Sequence, residues 1–244
     1  MLVFRSLVFN LAFYLNMALW LVVGLPCFVF PRRNLQNLMI AWAGSSMWLM
    51  KVIVGTRVEA RGLENLQQGG LLVASKHQSL WETFALLPYF DDAAFVLKRE
   101  LSWIPLFGWY ILKSKMIPVD RNGTISAIKS LTAKSKEAVE EGRQLIIFPE
   151  GTRRAPGAEP SYKSGTTHLY KRLGKPCLPV ALNSGLFWPR RKFLRYPGTI
   201  VIEFLPIIPA GLKADEFEQQ LQTGIETSSN RLWKEGLEER ERLL

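Results

Sequence analysis

The chain has 244 residues, 48% of them apolar and 21% charged, and its length and apolar share suffice for one or two packed domains. Disordered, collagen-like, coiled-coil and solenoid chains are excluded by that composition and by the absence of a recurring unit. The formal net charge of +10 is concentrated, with eleven basic against two acidic residues in 153–213, and a concentrated basic patch calls for an anionic partner: nucleic acid, a membrane surface or a phosphorylated substrate.

Residues 1–54 contain Arg5, Arg32, Arg33 and Lys51 and no acidic side chain. Residues 6–30 carry no charge at all, a run long enough to cross the ~30 Å hydrocarbon layer as one helix. A secretory signal fits less well, because the apolar run is too long and no small-x-small cleavage site follows it. After Pro31-Arg32-Arg33-Asn34 a second uncharged stretch covers 34–50, diluted by Gln36, Asn37, Ser45 and Ser46. Two helices joined by a basic turn make a hairpin that either crosses twice or dips into one leaflet; the other reading of the second stretch is a buried helix of a globular domain. Either membrane geometry returns the chain to its starting side. The basic residues that follow would keep the main domain cytoplasmic, facing anionic lipid of the cell inner membrane. The domain division expected is therefore 1–54, a membrane-associated helical hairpin, and 55–244, an α/β domain. Cys27 and Cys177 cannot make a disulfide framework and read as reduced thiols.

From Val52 onward short β-branched runs alternate with amphipathic stretches. Strands are predicted at 53–59, 71–74, 95–97, 116–118, 145–148, 178–182 and 199–204, and helices at 80–88, 124–141, 165–173 and from 214 toward 234. Several strands, such as Leu145-Ile146-Ile147-Phe148, are apolar at every position, which implies burial on both faces. The alternation predicts an α/β fold, a layered mixed sheet flanked by helices. In such sheets ligands collect at the carboxyl ends of strands, here the loops after Ala74, Pro118 and Phe148.

The first of these loops reads Ser75-Lys76-His77-Gln78-Ser79-Leu80-Trp81-Glu82. On one continuous helix His77 and Glu82 would point about 140° apart, so they meet only if His77 precedes the helix. Ser79-Leu80-Trp81-Glu82 fits a capping box, with Ser79 as N-cap. Two readings stay open: Glu82 caps the backbone, or it orients His77 as a general base. The loop after the fifth strand, Phe148-Pro149-Glu150-Gly151-Thr152-Arg153-Arg154, ends a buried strand in an acid, a glycine, a hydroxyl and two guanidiniums. Arginine forks match phosphate oxygens, although a solvated turn would have the same composition. Met116-Ile117-Pro118-Val119-Asp120-Arg121 again sets an arginine just past an apolar strand.

His77-Gln78-Ser79-Leu80-Trp81-Glu82 resembles the histidine-x4-aspartate motif of the glycerolipid acyltransferases, and Phe148-Pro149-Glu150-Gly151-Thr152-Arg153 is similar, letter for letter, to their FPEGTR motif. Val119-Asp120-Arg121, Tyr162-Lys163-Ser164-Gly165 and Leu178-Pro179-Val180 resemble further blocks of that family, in the same order. The resemblance covers roughly residues 71–183, and the amino-terminal hairpin is similar to the two-helix membrane motif of the 1-acyl-glycerol-3-phosphate acyltransferases. One departure is that Glu82 stands where the family has aspartate.

The resemblance implies that His77 deprotonates the free sn-2 hydroxyl of a lysophosphatidic acid, with Glu82 orienting it, and that the hydroxyl attacks an acyl thioester directly. Acyl-CoA or acyl carrier protein would be the co-substrate, with no cofactor and no metal. No nucleophile stands out: Cys177 lies within a predicted strand and Ser79 serves as a cap. Glu150 and Arg153, with Arg121, would hold the phosphate, Gly151 and Thr152 would shape that loop, and Lys98 is a further phosphate candidate. His168 reads as a helix-surface residue. Trp103, Phe107 and Trp109 would line an acyl groove or face the bilayer, with core packing as the ordinary alternative. The partners expected are the membrane lipid bilayer, lysophosphatidic acid and the acyl donor, and no nucleic acid. Rival readings keep the chemistry on another lysophospholipid or lyso-aminolipid, or make the chain a non-catalytic module that binds anionic lipid.

Overall fold

A computed structural model describes residues 1–120 and 125–243. The chain opens with α1 (Leu2–Val23), a 3-10 turn at Leu25–Phe28, and α2 (Arg32–Leu49), which continues into a π-helical turn at Met50–Val54. β1 (Thr56–Arg61) and β2 (Leu71–Ser75) follow, then a one-turn α3 (Glu82–Ala85), β3 (Ala93–Lys98), α4 (Phe107–Lys113) and β4 (Ile117–Val119). The second half comprises α5 (Ile125–Glu140), β5 (Gln144–Ile147), α6 (Ser164–Leu173), β6 (Cys177–Leu182), a short α7 (Ser184–Phe187), β7 (Gly198–Phe204) and a long α8 (Ala214–Leu243).

The strands form one seven-stranded mixed sheet in the order β1-β7-β6-β2-β5-β3-β4, as the alternation of the sequence leads one to expect. Strands β6, β2, β5, β3 and β4 run parallel, while β1 and β7 run together in the opposite sense, β7 pairing antiparallel with β6. In the parallel block β2 lies between β6 and β5, with Ala74 opposite both Ile147 and Pro179. The loops leaving β2, β5 and β6 therefore emerge side by side at one end of the sheet.

Two boundaries differ from the sequence-based expectation for physical reasons. Ile53-Val54 reads as the start of the strand predicted at 53–59, yet both residues are helical, and Gly55 at φ +88° ends the helix before β1. Met50 and Val54, four residues apart, are buried in the core while Val52 faces outward; packing at helical spacing overrides β-branched propensity. The helix expected at 80–88 is a single turn, α3, followed by a 3-10 turn at Leu87–Tyr89. Pro88 has no N–H to give the Phe84 carbonyl, so the α-helical ladder cannot continue. The last helix outruns its expected end at 234 because buried positions recur at Phe217, Leu221, Ile225, Ser229, Leu232 and Gly236.

The amino-terminal pair is long and apolar enough to cross a membrane by length and composition, over Leu2–Val23 and Arg32–Val54. The first helix does not fill the whole charge-free run; it stops at Val23 ahead of Gly24-Leu25-Pro26. A Cβ on Gly24 would lie 2.4 Å from Leu38 Cδ2, so only glycine lets α2 pack back so closely. Both helices share their core with the sheet. Phe9 and Phe13 of α1 are buried, and Phe13 meets Trp188 edge-on at 5.1 Å, with Phe84 at 5.8 Å and Trp42 at 6.3 Å. Asn10 donates to the Phe193 carbonyl at 3.0 Å, Tyr110 donates to the Leu21 carbonyl at 2.7 Å, and Arg32 pairs with Asp92 ahead of β3. The opposite side of the pair is exposed and apolar, including Phe4, Leu7, Leu11, Leu15 and Leu19 of α1 and Trp48 of α2. Trp103 and Trp109 are also exposed, so they are not core residues; Phe107 borders a small apolar cavity of about 70 Å³ with Trp20, Trp42 and Tyr110.

Because Phe13 joins α1 to three other aromatic rings, Phe13→Ala is expected to cost about 3–5 kcal/mol and to lower the unfolding midpoint of the detergent-solubilised protein. An unchanged midpoint would mean that α1 is not part of the cooperative core.

Candidate active site

Burial is costly for polar groups unless they are paired, yet a dense set of them lies at the carboxyl ends of β2, β5 and β6. Ser75, Lys76, His77, Gln78, Ser79, Glu82, Glu150, Asn183 and Ser184 are all 9% exposed or less. Their hydrogen bonds explain how they are tolerated.

Glu82 is wholly buried at the start of α3. One of its oxygens, Oε1, lies 2.9 Å from His77 Nδ1 and accepts the backbone N–H groups of Gln78 and Ser79, each at 2.7 Å. The other, Oε2, accepts the Ser184 hydroxyl at 2.7 Å. Ser79 Oγ in turn accepts the Trp81 N–H at 3.2 Å. The carboxylate that accepts the Gln78 and Ser79 N–H groups and so closes the turn also meets the histidine, so capping the backbone and contacting His77 do not exclude one another. A carboxylate surrounded by donors assigns the Nδ1 proton to His77 and leaves Nε2 with the lone pair. The ring is fixed further by stacking on Phe148 at 3.9 Å between centroids and 16° between planes, while Arg154 N donates to the His77 carbonyl at 2.8 Å.

The neighbouring loop is built around a buried ion network. Lys76, directly before His77, reaches Glu150 at 3.0 Å and Glu226 of α8 at 2.7 Å, and Tyr162 donates to Glu226 at 3.0 Å. This corrects the expectation that Glu150 holds a phosphate: its side chain is sealed from solvent and engaged by lysine. Burial pushes its pKa up, against the opposing pull of Lys76. Gly151 turns the chain at φ +64°, and Thr152, exposed, and Arg153, half-buried, follow in the loop. Arg153 lies near Glu82 and near Arg190 and Arg191; burial, then those two cations, lower its pKa, while Glu82 raises it.

Other expected residues are placed apart. Lys98 ends β3 as an exposed side chain paired with Glu100 at 2.8 Å. Arg121 lies outside the described residues. His168 sits between α5 and α6, 3.0 Å from the Thr132 hydroxyl. Cys177 is fully buried in β6 and burial pushes its thiol pKa up, which disfavours the thiolate a nucleophile needs. Sequence reasoning missed Lys76, Ser184 and Glu226. Ser184 follows an apolar strand by two residues, the same signal that marked the other two loops; nothing local marks Glu226, about 150 residues from its lysine.

The sequence model of the acyltransferase family matches residues 57–183, which takes in the loops leaving β2 and β5 and ends at Asn183, just past β6. The chain belongs to the acyltransferase family. It is 41% identical over 169 residues to a 1-acyl-sn-glycerol-3-phosphate acyltransferase of Pseudomonas aeruginosa, covering 69% of this chain and 66% of that relative. It is 28% identical over 213 residues to the bovine 1-acyl-sn-glycerol-3-phosphate acyltransferase alpha, covering 85% and 74%. The crystal structure of a 1-acyl-sn-glycerophosphate (LPA) acyltransferase from Thermotoga maritima shares the fold, with a TM-score of 0.80 over 95% of this chain and 98% of that one at 22% identity.

In this acyltransferase the buried network gives a test. Lys76→Met keeps the bulk but strands two carboxylates, Glu150 and Glu226, which is expected to destabilise by about 3–5 kcal/mol in denaturant or thermal unfolding. An unaffected unfolding midpoint would show that the network does not hold the loop.

Proposed function

We propose that the protein transfers a fatty acyl group from acyl-CoA or acyl carrier protein to the sn-2 hydroxyl of lysophosphatidic acid, giving phosphatidic acid. The observation that carries this reading is the buried His77–Glu82 pair, with Arg153 close by, which among the described residues has no carboxylate within ion-pair distance.

Each step needs only groups already described. His77 Nε2 takes the proton of the sn-2 hydroxyl as that oxygen attacks the thioester carbonyl. The tetrahedral intermediate collapses, the C–S bond breaks, and the thiolate leaves and recovers the proton from the imidazolium. Glu82 stabilises the imidazolium and keeps the ring in place through Nδ1. The donor is already activated as a thioester, so neither an acyl-enzyme nor a metal or prosthetic group is required. Arg153 holds the phosphate, and Gly151 and Thr152 shape its loop, whereas Glu150 acts through Lys76 rather than on the phosphate.

The exposed apolar side of the hairpin, together with Trp103 and Trp109, is the face that enters lipid. The hairpin is tied to the body near both ends of α1 and at the start of α2. It therefore lies in one leaflet beside the catalytic domain, at the cytoplasmic side of the cell inner membrane, where the basic segment meets anionic lipid.

The test is diacyl product formation by the full chain in detergent, with oleoyl-lysophosphatidic acid and each donor. Wild type turns over, His77→Ala loses ~10²-fold or more, Glu82→Asp keeps appreciable activity, and a chelator has no effect. Turnover that survives His77→Ala would sink the mechanism; no turnover from folded wild type with either donor would sink the substrate.

A further inference from the structure

Residues 189–195 join α7 to β7 and lie beyond the part of the chain that the family model matches. They carry Arg190-Arg191-Lys192 and, three residues on, Arg195. This segment is braced. Arg195 is buried, its Nη1 donates to the carbonyls of Lys192, Phe193 and Leu194, and its guanidinium lies over the Trp188 ring at 4.8 Å. From the other side α1 clasps the segment, through Ser6 Oγ accepting Arg195 N at 2.9 Å and Asn10 donating to Phe193 O. A loop fixed in this way holds its side chains where folding puts them.

Folding puts Arg190 against Arg153. Arg190 Nη1 donates to the Arg153 carbonyl at 2.7 Å, and Arg190 Nε is buried with no partner. The charge of Arg190 is, after burial, the next cause that lowers the Arg153 pKa. Among the described residues no carboxylate is within ion-pair distance of Arg153, Arg190 or Arg191. Like charges held together on braced loops are unfavourable until an anion arrives. Planar guanidinium forks with free N–H groups match the oxygens of a phosphate. Ser6 and Asn10 belong to α1, so Arg190 stands on a segment clasped by the helix whose other side is apolar and exposed.

We propose that Arg190 and Arg153 form a two-arginine clamp on the phosphate monoester of the acceptor, Arg190 being a substrate-binding residue supplied from outside the family's motif region. This rests on the acceptor assigned above. A dianionic phosphate neutralises both cations, whereas an acceptor without one leaves them opposed, so the clamp also selects for phosphate-bearing lysolipids.

The test compares Arg190→Gln, which keeps a donor but removes the charge, with Arg190→Lys, which keeps the charge, and with Lys192→Gln as a control of equal charge change. Two readouts are taken on the full chain in detergent: KM for each substrate, and calorimetric binding of glycerol 3-phosphate at low ionic strength. Loss of a charge-assisted hydrogen bond predicts a rise of roughly 10- to 100-fold in acceptor KM and in the glycerol 3-phosphate Kd for Arg190→Gln. Most of the loss in kcat/KM then lies in KM, Arg190→Lys recovers part of it, and Lys192→Gln changes either value by less than about 3-fold. The donor KM stays put, and the preference for lysophosphatidic acid over monoacylglycerol shrinks.

Unchanged acceptor KM and Kd in Arg190→Gln overturn the clamp, as does a rise confined to acyl-CoA but not to acyl-pantetheine, which would assign the arginines to the donor's phosphates. Arg190→Lys as poor as Arg190→Gln, with both melting early, would reduce Arg190 to a strut for the Arg153 loop. Glycerol 3-phosphate binding that depends on Arg190 in a wild type that does not acylate lysophosphatidic acid would keep the clamp and remove the acceptor.

Discussion

A carboxylate with no solvent contact has to be surrounded by donors or it will not stay charged. Glu82 meets that demand with two backbone N–H groups, a serine hydroxyl and an imidazole, and each of those donors is thereby fixed. Gln78 and Ser79 N–H close the turn that launches α3. Ser184 ties that turn to the loop leaving β6. His77 receives its tautomer and, together with Phe148, the orientation of its ring. Glu82 reaches back from the first turn of the helix to the residues before it and serves the turn and the histidine from one oxygen.

The sheet order makes this convergence possible. β2 lies between β5 and β6 in a parallel block, so three loops distant in sequence leave the sheet as neighbours. Lys76 then joins two of those regions to α8, because its ammonium is shared between Glu150 and Glu226. One lysine facing two acids in a buried site works as an organising device more than as a source of net stability, since much of the Coulomb attraction is offset by desolvation. Asn183 performs the neutral counterpart, accepting Val201 N–H at 2.8 Å and donating to the Leu232 carbonyl of α8 at 3.2 Å. In both cases the long carboxy-terminal helix supports loops on which it carries no catalytic group.

The hairpin belongs to the same body. Phe9 and Phe13 are buried with Trp81, Phe84 and Trp188 while the other side of α1 stays apolar and exposed, so one helix serves the protein core and faces outward at once. Its polar side chains, Ser6 and Asn10, hold the basic 189–195 segment. One helix therefore carries an apolar outer face and, on its other side, the contacts that hold a cluster of cations.

The sequence by itself determined the periodicity of strands and helices, the apolar amino-terminal pair, the two motif loops and the turn that sets His77 ahead of the helix of Glu82, because each of these is local or follows from alternation and capping rules; whether Glu82 meets His77 or only caps the backbone it left open. It misjudged Ile53-Val54 and the length of the helix expected at 80–88, where packing at residues 50 and 54 and the missing N–H of Pro88 prevailed over propensity. It could not decide that Glu150 turns inward to Lys76, that Ser184 completes the carboxylate's shell, or that Arg190 comes to rest against Arg153. Those contacts join residues 37 to 102 positions apart, and no local pattern encodes which loop ends meet. Strand order in the sheet decides that, and strand order is settled only when the whole core is buried at once.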